Sequence, residues 1–219
     1  MLSVEELIKH VETSFQNAEK GISKITLGIL DIEGMTGRNT RHFYNNLLSM
    51  EDARYLEIGT WKGSSVCAAM CFNQAKVVCI DDWSEFGAGA REDFIKNFQT
   101  FQGDNLAMFI EEDCFKVDVS KLPMFNIYLY DGNHSKESQY KALIHYYSKL
   151  DDIFVFIVDD WNWKDVREGT QESIEKLKLK VLYERAVRTT LDESHPEMGS
   201  EPQQKWHNGI YLAILQKQK

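Results

Sequence analysis

Residues 55–65 read Tyr55-Leu-Glu-Ile-Gly-Thr-Trp-Lys-Gly-Ser-Ser65, and they carry the clearest structural signal in the sequence. An apolar run ends just before Gly59, and a helical pattern begins just after Gly63. Glycine lets the backbone approach a ligand closely, and the first turn of a helix offers free N–H groups. The spacing differs from the G-x-G-x-x-G turn that binds a pyrophosphate. The stretch therefore predicts a strand, a ligand-binding turn and a helix, for a ligand that carries no phosphate.

Outward from this turn, apolar strand-like runs alternate with helical patterns from residue 54 to the end of the chain. Such alternation predicts βαβ units, and hence a mostly parallel sheet covered by helices on both faces. We expect residues 1–50 to form a helical extension of a single domain at 51–219. The predicted strands are 54–58, 75–80, 108–111, 127–130, 153–158, 180–187 and 210–215, and the predicted helices are 64–72, 91–101, 136–149 and 165–177.

Acidic residues follow the second and third predicted strands. Asp81, Asp82 and Trp83 end the second strand, and Asp113 follows the third. The carboxyl ends of parallel strands are where open α/β sheets bind ligands, and an acid after the second strand can accept hydrogen bonds from both hydroxyls of a ribose. These positions therefore predict a nucleoside-binding edge.

The glycine turn and these acids together resemble the cofactor site of class I S-adenosylmethionine-dependent methyltransferases. The resemblance covers residues 54–158 and implies a Rossmann-like α/β fold, whose seven-stranded, mostly parallel sheet has the order 3-2-1-4-5-7-6. S-adenosylmethionine would be the cofactor, with Asp81 on its ribose and Asp113 near its adenine, while Glu57 orders the turn. The full cofactor-binding set that the resemblance implies is Glu57, Gly59, Thr60, Trp61, Gly63, Ser64, Ser65, Asp81, Asp82, Trp83, Asp113, Cys114, Phe115 and Asp131.

A second group of acids follows the fourth and fifth predicted strands. Asp131 begins an Asp-Gly-Asn-His segment that ends at His134, and Asp159 and Asp160 follow the fifth strand. In the strand order of the family these two strands are neighbours, about 4.8 Å apart. Three carboxylates then converge, which is unfavourable unless a cation or shared protons offset their charge. Oxygen ligands suit Mg²⁺, Mn²⁺ or Ca²⁺ better than zinc.

This second pattern resembles the metal-dependent O-methyltransferases, including those that act on macrolide and aminocoumarin sugars and, more distantly, the catechol type. The sugar enzymes hold their metal with a D-G-x-H or D-G-D segment and a later acidic pair. The resemblance implies metal ligation by Asp131, Asp159 and Asp160, and catalysis by Asp131 with His134 as the general base. Asn133 stands where the D-G-D version has its base, so only the D-G-x-H version fits. A small-molecule or sugar hydroxyl would be the methyl acceptor.

Other interpretations of the same acids stay open. Asp131 could contact the amino group of the cofactor while Asp159 and Asp160 cap the next helix, and His134 could form only local hydrogen bonds. The chain would then be a metal-independent small-molecule methyltransferase. From a different class, it could be a non-catalytic module that binds S-adenosylmethionine and serves as a partner subunit.

The composition limits the partners. The chain has 219 residues and a formal net charge of -9, without a stripe of Lys and Arg, which argues against nucleic acid or an anionic membrane as the main partner. No apolar run approaches the roughly 20 residues that span a bilayer. The N-terminus lacks the layout of a signal peptide. The 4 cysteines lack the spacing of a zinc site, which favours free thiols in the cytoplasm. We therefore expect a cytoplasmic enzyme with a small-molecule acceptor.

The segments outside the central pattern also carry expectations. Residues 2–15 predict an amphipathic helix, begun by a capping box of Ser3 and Glu6, that packs either on the core or on a second copy of the chain. The polar segment 34–42 is expected to fold over the cofactor through Thr36 and Arg38.

Two features near the chain end are expected at the acceptor side of the site. Trp161 and Trp163 follow the acids of the fifth strand, and either form a wall for the acceptor or pack beneath the loop. Residues 191–205 predict a long polar loop. Because the sixth strand would run parallel to the others, this loop should emerge beside the site and serve as a lid.

Overall fold

In residues 2–85 and 89–218, which the computed structural model describes, three helices come first and strands then alternate with helices, except that only a 3₁₀ turn separates the third strand from the fourth. The helices are α1 (Val4–Glu19), α2 (Leu27–Leu30), α3 (Arg38–Leu47), α4 (Ser64–Met70), α5 (Ala90–Phe101), α6 (Lys136–Tyr146), α7 (Lys164–Lys176) and α8 (Glu201–Trp206). The strands are β1 (Arg54–Ile58), β2 (Lys76–Asp81), β3 (Leu106–Glu111), β4 (Phe125–Tyr130), β5 (Leu150–Asp159), β6 (Lys180–Val187) and β7 (Ile210–Gln216).

The strands form one sheet in the order β3-β2-β1-β4-β5-β7-β6, which confirms the predicted topology. β1 to β5 pair in parallel, whereas β7 pairs antiparallel with both β5 and β6. β6 therefore points the same way as β1 to β5. The segment after β6 emerges at their carboxyl edge, as expected.

The central strands are buried on both faces. Tyr55 of β1 packs into the cluster formed with α1, α3 and α4, whereas its neighbour Leu56 packs into the cluster formed with α6 and α7. Successive residues of a strand point to opposite faces, so a strand covered by helices on both sides is a nearly continuous apolar run. In β4 all residues from Phe125 to Tyr130 are buried. This rigid sheet fixes the positions of the loops at its carboxyl edge.

The N-terminal helix packs on the core of its own chain. The predicted capping box is confirmed: Glu6 N donates to Ser3 Oγ at 3.2 Å, and Ser3 N donates to Glu6 Oε2 at 2.8 Å. One face of α1 is buried. Its Phe15 ring lies 4.5 Å from the ring of Phe43 and 5.0 Å from that of Trp206. Helix α1 thus packs against both α3 and α8.

Residues 201–206, expected to be part of a long loop, form the short helix α8 instead. Ser200 is its N-cap, and the Ser200 side chain accepts a hydrogen bond from Gln203 N. Pro202 lies in the first turn, where a helix tolerates the missing N–H. The polar composition of the segment hid these helix-start signals. Only the part before Ser200 is irregular.

Two expectations from the composition concern the cysteines and the apolarity of the helices. Cys67, Cys71, Cys79 and Cys114 are free thiols, as predicted, and the first three are buried. Within the described part of the chain, none of the helices combines the length and apolarity that crossing a membrane requires.

Candidate active site

A cavity of about 530 Å³ opens at the carboxyl edge of the sheet. Its wall comes from the loops after β1 to β5, with Met35 and Thr36 from the N-terminal segment and His195 and His207 from the chain end. Its size is that of cofactor pockets, and it lies where open α/β sheets bind ligands. The members of the predicted cofactor set that line it are Gly59, Thr60, Trp61, Ser64, Ser65, Asp81, Asp82, Trp83, Asp113, Cys114, Phe115 and Asp131.

The turn after β1 lies directly against the end of β4. Gly59 has a φ of +83°, and a Cβ atom there would lie 2.0 Å from the carbonyl oxygen of Asp131. Gly63 also has a positive φ, of +84°, and is the N-cap of α4. A side chain at Gly59 is excluded by both conformation and space. This close approach brings the glycine turn and Asp131 into one wall.

Asp81 holds the glycine turn in place. Its Oδ2 accepts hydrogen bonds from Thr60 N at 2.7 Å and Trp61 N at 2.8 Å, and its Oδ1 accepts one from Trp83 N at 2.7 Å. A carboxylate has about four lone-pair sites, so it can still accept a bond from a ligand in the cavity. The sequence predicted a ligand contact for Asp81 but gave no sign of this role in the turn.

Aromatic side chains surround the cavity near β2 and β3. The ring of Trp83 lies 5.0 Å from that of Phe94 and 6.1 Å from that of Phe109, and its Nε1 donates to Trp61 O at 2.8 Å. Trp61 and Trp83 have φ values of 42° and 50°, which are unfavourable for bulky residues. The bonds to Asp81 hold both tryptophans in these conformations. The strain is therefore concentrated in the cavity wall.

Glu57 and Gly63 are the two members of the predicted cofactor set that do not line the cavity. Glu57 is fully buried behind the turn, where it accepts hydrogen bonds from Tyr55 Oη at 2.6 Å and Ser65 Oγ at 2.6 Å. Burial raises the pKa of Glu57 to about 8, although both hydroxyls favour its charged form. Its contacts join β1 to α4, so it orders the turn.

An acidic cluster with one histidine forms the end of the cavity near β4 and β5. His134 Nε2 lies 2.7 Å from Asp160 Oδ2 and 3.8 Å from Asp131 Oδ1. One ligand atom from each of these three residues lies within 4.8 Å of the others. The predicted metal set was Asp131, Asp159 and Asp160, so His134 takes the place of Asp159 in this group.

The backbone explains why Asp159 and Asp160 differ. Asp159 is the last residue of β5 and pairs with Ile210 in the sheet. Asp160 leaves the strand with a φ of 57°, in the left-handed region, and its carboxylate meets His134. Asp159 also lines the cavity but is only 5% exposed. Two adjacent acids in the sequence thus have different environments.

The pKa values in this cluster are strongly shifted. Burial raises the pKa of Asp131 to about 6, against the opposing effect of His134. Burial and then the charges of Asp131 and Asp160 raise the pKa of Asp159 well above its usual range. For His134, burial lowers the pKa, but the contacts with Asp131 and Asp160 outweigh it and raise the pKa to about 10. Protons on His134 and Asp159 therefore relieve the crowding of negative charge.

His195 and His207 complete the cavity wall, a position that the sequence did not predict for them. Their Nε2 atoms lie 3.3 Å apart. His207 is 8% exposed and has a φ of 49°, a strained conformation just after α8. Both lie beyond the stretch that carries the resemblance. The one available signal was a polar, glycine-containing group, His207 to Gly209, directly before the last strand.

The two tryptophans after β5 have different roles. Trp163 lines the cavity, with its ring 5.0 Å from the His134 ring in an edge-to-face arrangement. Trp161 is 4% exposed and stacks on Tyr211 at 4.2 Å. Of the two interpretations left open, the wall applies to Trp163 and packing applies to Trp161.

The N-terminal segment contributes to the cavity through Thr36. Thr36 lines the wall and accepts a hydrogen bond from Ser64 Oγ at 3.1 Å. Arg38, the other residue proposed from the sequence, lies outside this cavity and borders a separate one. The buried Arg41 holds the segment, because its guanidinium donates to Thr36 O at 2.9 Å and to Ile29 O at 2.8 Å.

Comparisons with known proteins agree with this site. Residues 56–161 match the family model described as a methyltransferase domain. No curated protein matches the sequence. Similar solved structures include a candidate O-methyltransferase from Klebsiella pneumoniae, at 15% identity and a TM-score of 0.59 over 94% of this chain and 89% of that one.

Two further similar structures contain S-adenosylhomocysteine. The Podospora anserina methyltransferase PaMTH1 has 12% identity and a TM-score of 0.58, over 97% of this chain and 88% of that one. An O-methyltransferase from Bacillus cereus has 11% identity and a TM-score of 0.56, over 95% and 91%. At these identities the likeness shows the fold.

The sheet order, the glycine turn in the wall of the cavity and the family match together define the class of protein. The chain has the class I methyltransferase fold and is an S-adenosylmethionine-dependent methyltransferase. S-adenosylmethionine is its cofactor, and the cavity fits this molecule: its volume is about 530 Å³, and the glycine turn and Asp81 line its wall.

Proposed function

We propose that the enzyme methylates a hydroxyl oxygen of a small molecule, of the sugar class, with the help of a divalent cation. The observation that carries this proposal is the group of Asp131, His134 and Asp160, whose ligand atoms lie within 4.8 Å of one another in the wall of the cofactor cavity. The Asp-Gly-x-His segment, which resembles that of the sugar O-methyltransferases, supports it.

The donor set fits a hard divalent cation. Asp131, Asp159 and Asp160 would hold it, because their carboxylate oxygens suit Mg²⁺, Mn²⁺ or Ca²⁺. Two of these acids have raised pKa values, Asp131 through burial and Asp159 through burial and its acidic neighbours. A bound cation would supply the positive charge that this crowding favours, and would lower the pKa of a substrate hydroxyl.

His134 is the proposed general base. Burial lowers its pKa, but its contacts with Asp131 and Asp160 raise that pKa to about 10, so it acts as a base once a cation bound by these acids offsets their charge and lowers the pKa. Its imidazole lines the cavity, and Asp160 orients it through the contact of 2.7 Å. S-adenosylmethionine supplies the methyl group, by displacement at its sulfonium carbon. With the cofactor bound, His134 would take the proton of the acceptor hydroxyl as that oxygen forms its bond to the methyl carbon, and the electron pair of the C–S bond would stay on sulfur. Positioning of the reacting atoms by the cavity supplies much of the rate enhancement.

The acceptor is proposed to be small and uncharged or cationic. The chain has a net charge of -9, and acids form one end of the cavity. A nucleic-acid backbone would be repelled by this surface. Trp163, next to His134, offers an aromatic face for the apolar side of a sugar ring.

A second candidate keeps the cofactor and the acceptor but needs no cation. The contact between His134 and Asp160 favours it, because this ion pair already neutralises the Asp160 carboxylate. Removal of divalent ions distinguishes the two candidates.

The test measures formation of S-adenosylhomocysteine with a panel of hydroxylated acceptors, first with Mg²⁺ and then with EDTA. We expect turnover that stops with EDTA and returns with Mg²⁺ or Mn²⁺. Asp160→Asn should lose turnover, whereas Asp165→Asn, a change of the same kind at an exposed residue of α7, should keep it. Turnover unchanged by EDTA would overturn the role of the cation. Tight cofactor binding without transfer to any acceptor would favour a non-catalytic module.

A further inference from the structure

Asn162 lies at the crossing of three parts of the chain behind the acidic cluster. It follows β5 and is 0% exposed. Its Oδ1 accepts hydrogen bonds from Thr189 N at 2.9 Å and Thr190 N at 3.3 Å. Its backbone N donates to Asn208 O at 3.0 Å. One buried side chain thus joins the end of β5, the segment after β6 and the turn before β7.

The amide nitrogen of Asn162 begins a chain of hydrogen bonds that leads to the cavity wall. Nδ2 contacts Thr189 Oγ1 at 2.8 Å, and Thr189 Oγ1 in turn donates to His207 O at 2.9 Å. Nδ2 also contacts Ser194 O at 3.3 Å, next to His195. Asn162 is therefore connected to His207 through Thr189 and to His195 through Ser194, and the imidazoles of these two histidines meet in the cavity wall.

The second link leads to Asp160. Asn162 Nδ2 donates to Asn208 Oδ1 at 2.9 Å, which fixes which end of the Asn208 amide faces Asn162. Asn208 Nδ2 is then directed away, and among residues 2–85 and 89–218 it has no hydrogen-bond partner, although it is 0% exposed. The backbone places Asn208 beside the residues that follow Asp160, because Trp161 N donates to Gly209 O at 3.4 Å and Asn162 N donates to Asn208 O at 3.0 Å.

We infer that Asn162 is a positioning residue that holds residues 189–195 over the cavity and turns the N–H side of the Asn208 amide toward Asp160. The part concerning Asp160 rests on its proposed role as a ligand. Groups behind a metal ligand typically change metal affinity about 10- to 100-fold when they are altered.

Asn162→Asp tests both links, because it keeps the shape and the acceptor but removes the donor. Without a donor at residue 162, Asn208 has to rotate its amide and turn its oxygen toward Asp160, and Thr189 Oγ1 loses its contact with Nδ2. Asn105→Asp is the matched control. Asn105 is also buried, with Oδ1 accepting from Ala75 N and Nδ2 donating to Met70 O, at the opposite edge of the sheet.

Three measurements on the full chain separate positioning from stability: Mn²⁺ binding followed by electron paramagnetic resonance, S-adenosylhomocysteine binding by calorimetry, and cleavage by a glutamate-specific protease. Glu193 and Glu197 are exposed sites for this protease. We expect Asn162→Asp to lower Mn²⁺ affinity about 10-fold or more and to speed cleavage at these sites by a similar factor, with unchanged S-adenosylhomocysteine affinity. Asn105→Asp should lower only the melting temperature.

The inference would be overturned if Asn162→Asp kept the cleavage rate and the Mn²⁺ affinity of the wild type. It would also be overturned if Asn105→Asp changed both quantities as much as Asn162→Asp does. If Asn162→Asp does not fold, Thr189→Val, which removes the hydroxyl between Asn162 and His207, should speed cleavage in the same direction. Wild-type protein that binds S-adenosylhomocysteine but no Mn²⁺ would refute the cation in the proposed function. The cleavage rates would then still decide the role of Asn162.

Discussion

His134 and Asp160 meet inside the cofactor cavity, with 2.7 Å between Nε2 and Oδ2, although one follows β4 and the other follows β5. The pairing depends on the parallel register of these two strands and on the left-handed conformation of Asp160. It aligns the imidazole with the cavity. Every chemical step that we propose uses this geometry.

Replacement of His134 tests its role as the base. His134→Gln should lower kcat by about 10²- to 10⁴-fold, the usual contribution of a positioned base, because glutamine cannot take the hydroxyl proton. The affinity for S-adenosylhomocysteine should not change. His10→Gln, a change at a histidine of α1 far from the cavity, should leave kcat unaltered. A His134→Gln enzyme with the wild-type kcat would exclude His134 as the base.

The acidic cluster should bind a divalent cation. Asp131→Asn and Asp160→Asn should each abolish Mn²⁺ binding in a calorimetric titration, because each removes a carboxylate from the group within 4.8 Å. Asp159→Asn should weaken it as well, since this acid lines the same cavity. Asp159→Ala with intact Mn²⁺ binding and intact turnover would contradict the proposed metal site.

The close approach at Gly59 should be intolerant of any side chain. Gly59→Ala should be destabilised by more than the roughly 1–3 kcal/mol of backbone strain, because its Cβ atom would lie 2.0 Å from Asp131 O. Gly103 is a matched control, with a φ of +54° and nothing near its Cβ position. Chemical denaturation of both variants isolates the contact. Equal losses in the two would show that the approach to Asp131 is unimportant for stability.

Glu57 should make stability depend on pH. Its pKa is raised by burial from 4.5 to about 8, so between these values the folded chain keeps a proton that the unfolded chain has released. Raising the pH through this window therefore lowers the free energy of unfolding, by up to about 1.4 kcal/mol per pH unit. Glu57→Gln removes this dependence. Its stability relative to wild type should rise between pH 4.5 and 8, and a flat difference would contradict the assignment.

The sheet and most of the cavity wall could be predicted because their signals are local. The turn from Gly59 to Gly63, and the acids at Asp81 and Asp131, each lie beside a recognisable apolar strand. Parallel strands bring such positions to one edge whatever the details of the loops. The expected strand order puts β4 beside β5, and this is what predicted that Asp131 lies near Asp160.

The parts that escaped prediction depend on contacts between distant segments. His207 enters the wall because β7 inserts antiparallel between β5 and β6, so the turn before it meets the end of β5. The difference between Asp159 and Asp160 depends on one left-handed residue. The bonds that Asp81 accepts from the glycine turn join the end of β2 to the loop after β1. None of these has a pattern within a single stretch of sequence.

The most direct test of the central claim is a calorimetric titration with S-adenosylhomocysteine, with and without Mg²⁺, on wild type and on Asp81→Ala. Asp81 holds the turn that forms the cofactor wall, so we predict binding at one site per chain in wild type and its loss in a folded Asp81→Ala variant. Circular dichroism checks the fold of the variant. Wild-type protein that binds no S-adenosylhomocysteine under either condition would contradict the assignment of this cavity to the methyl donor.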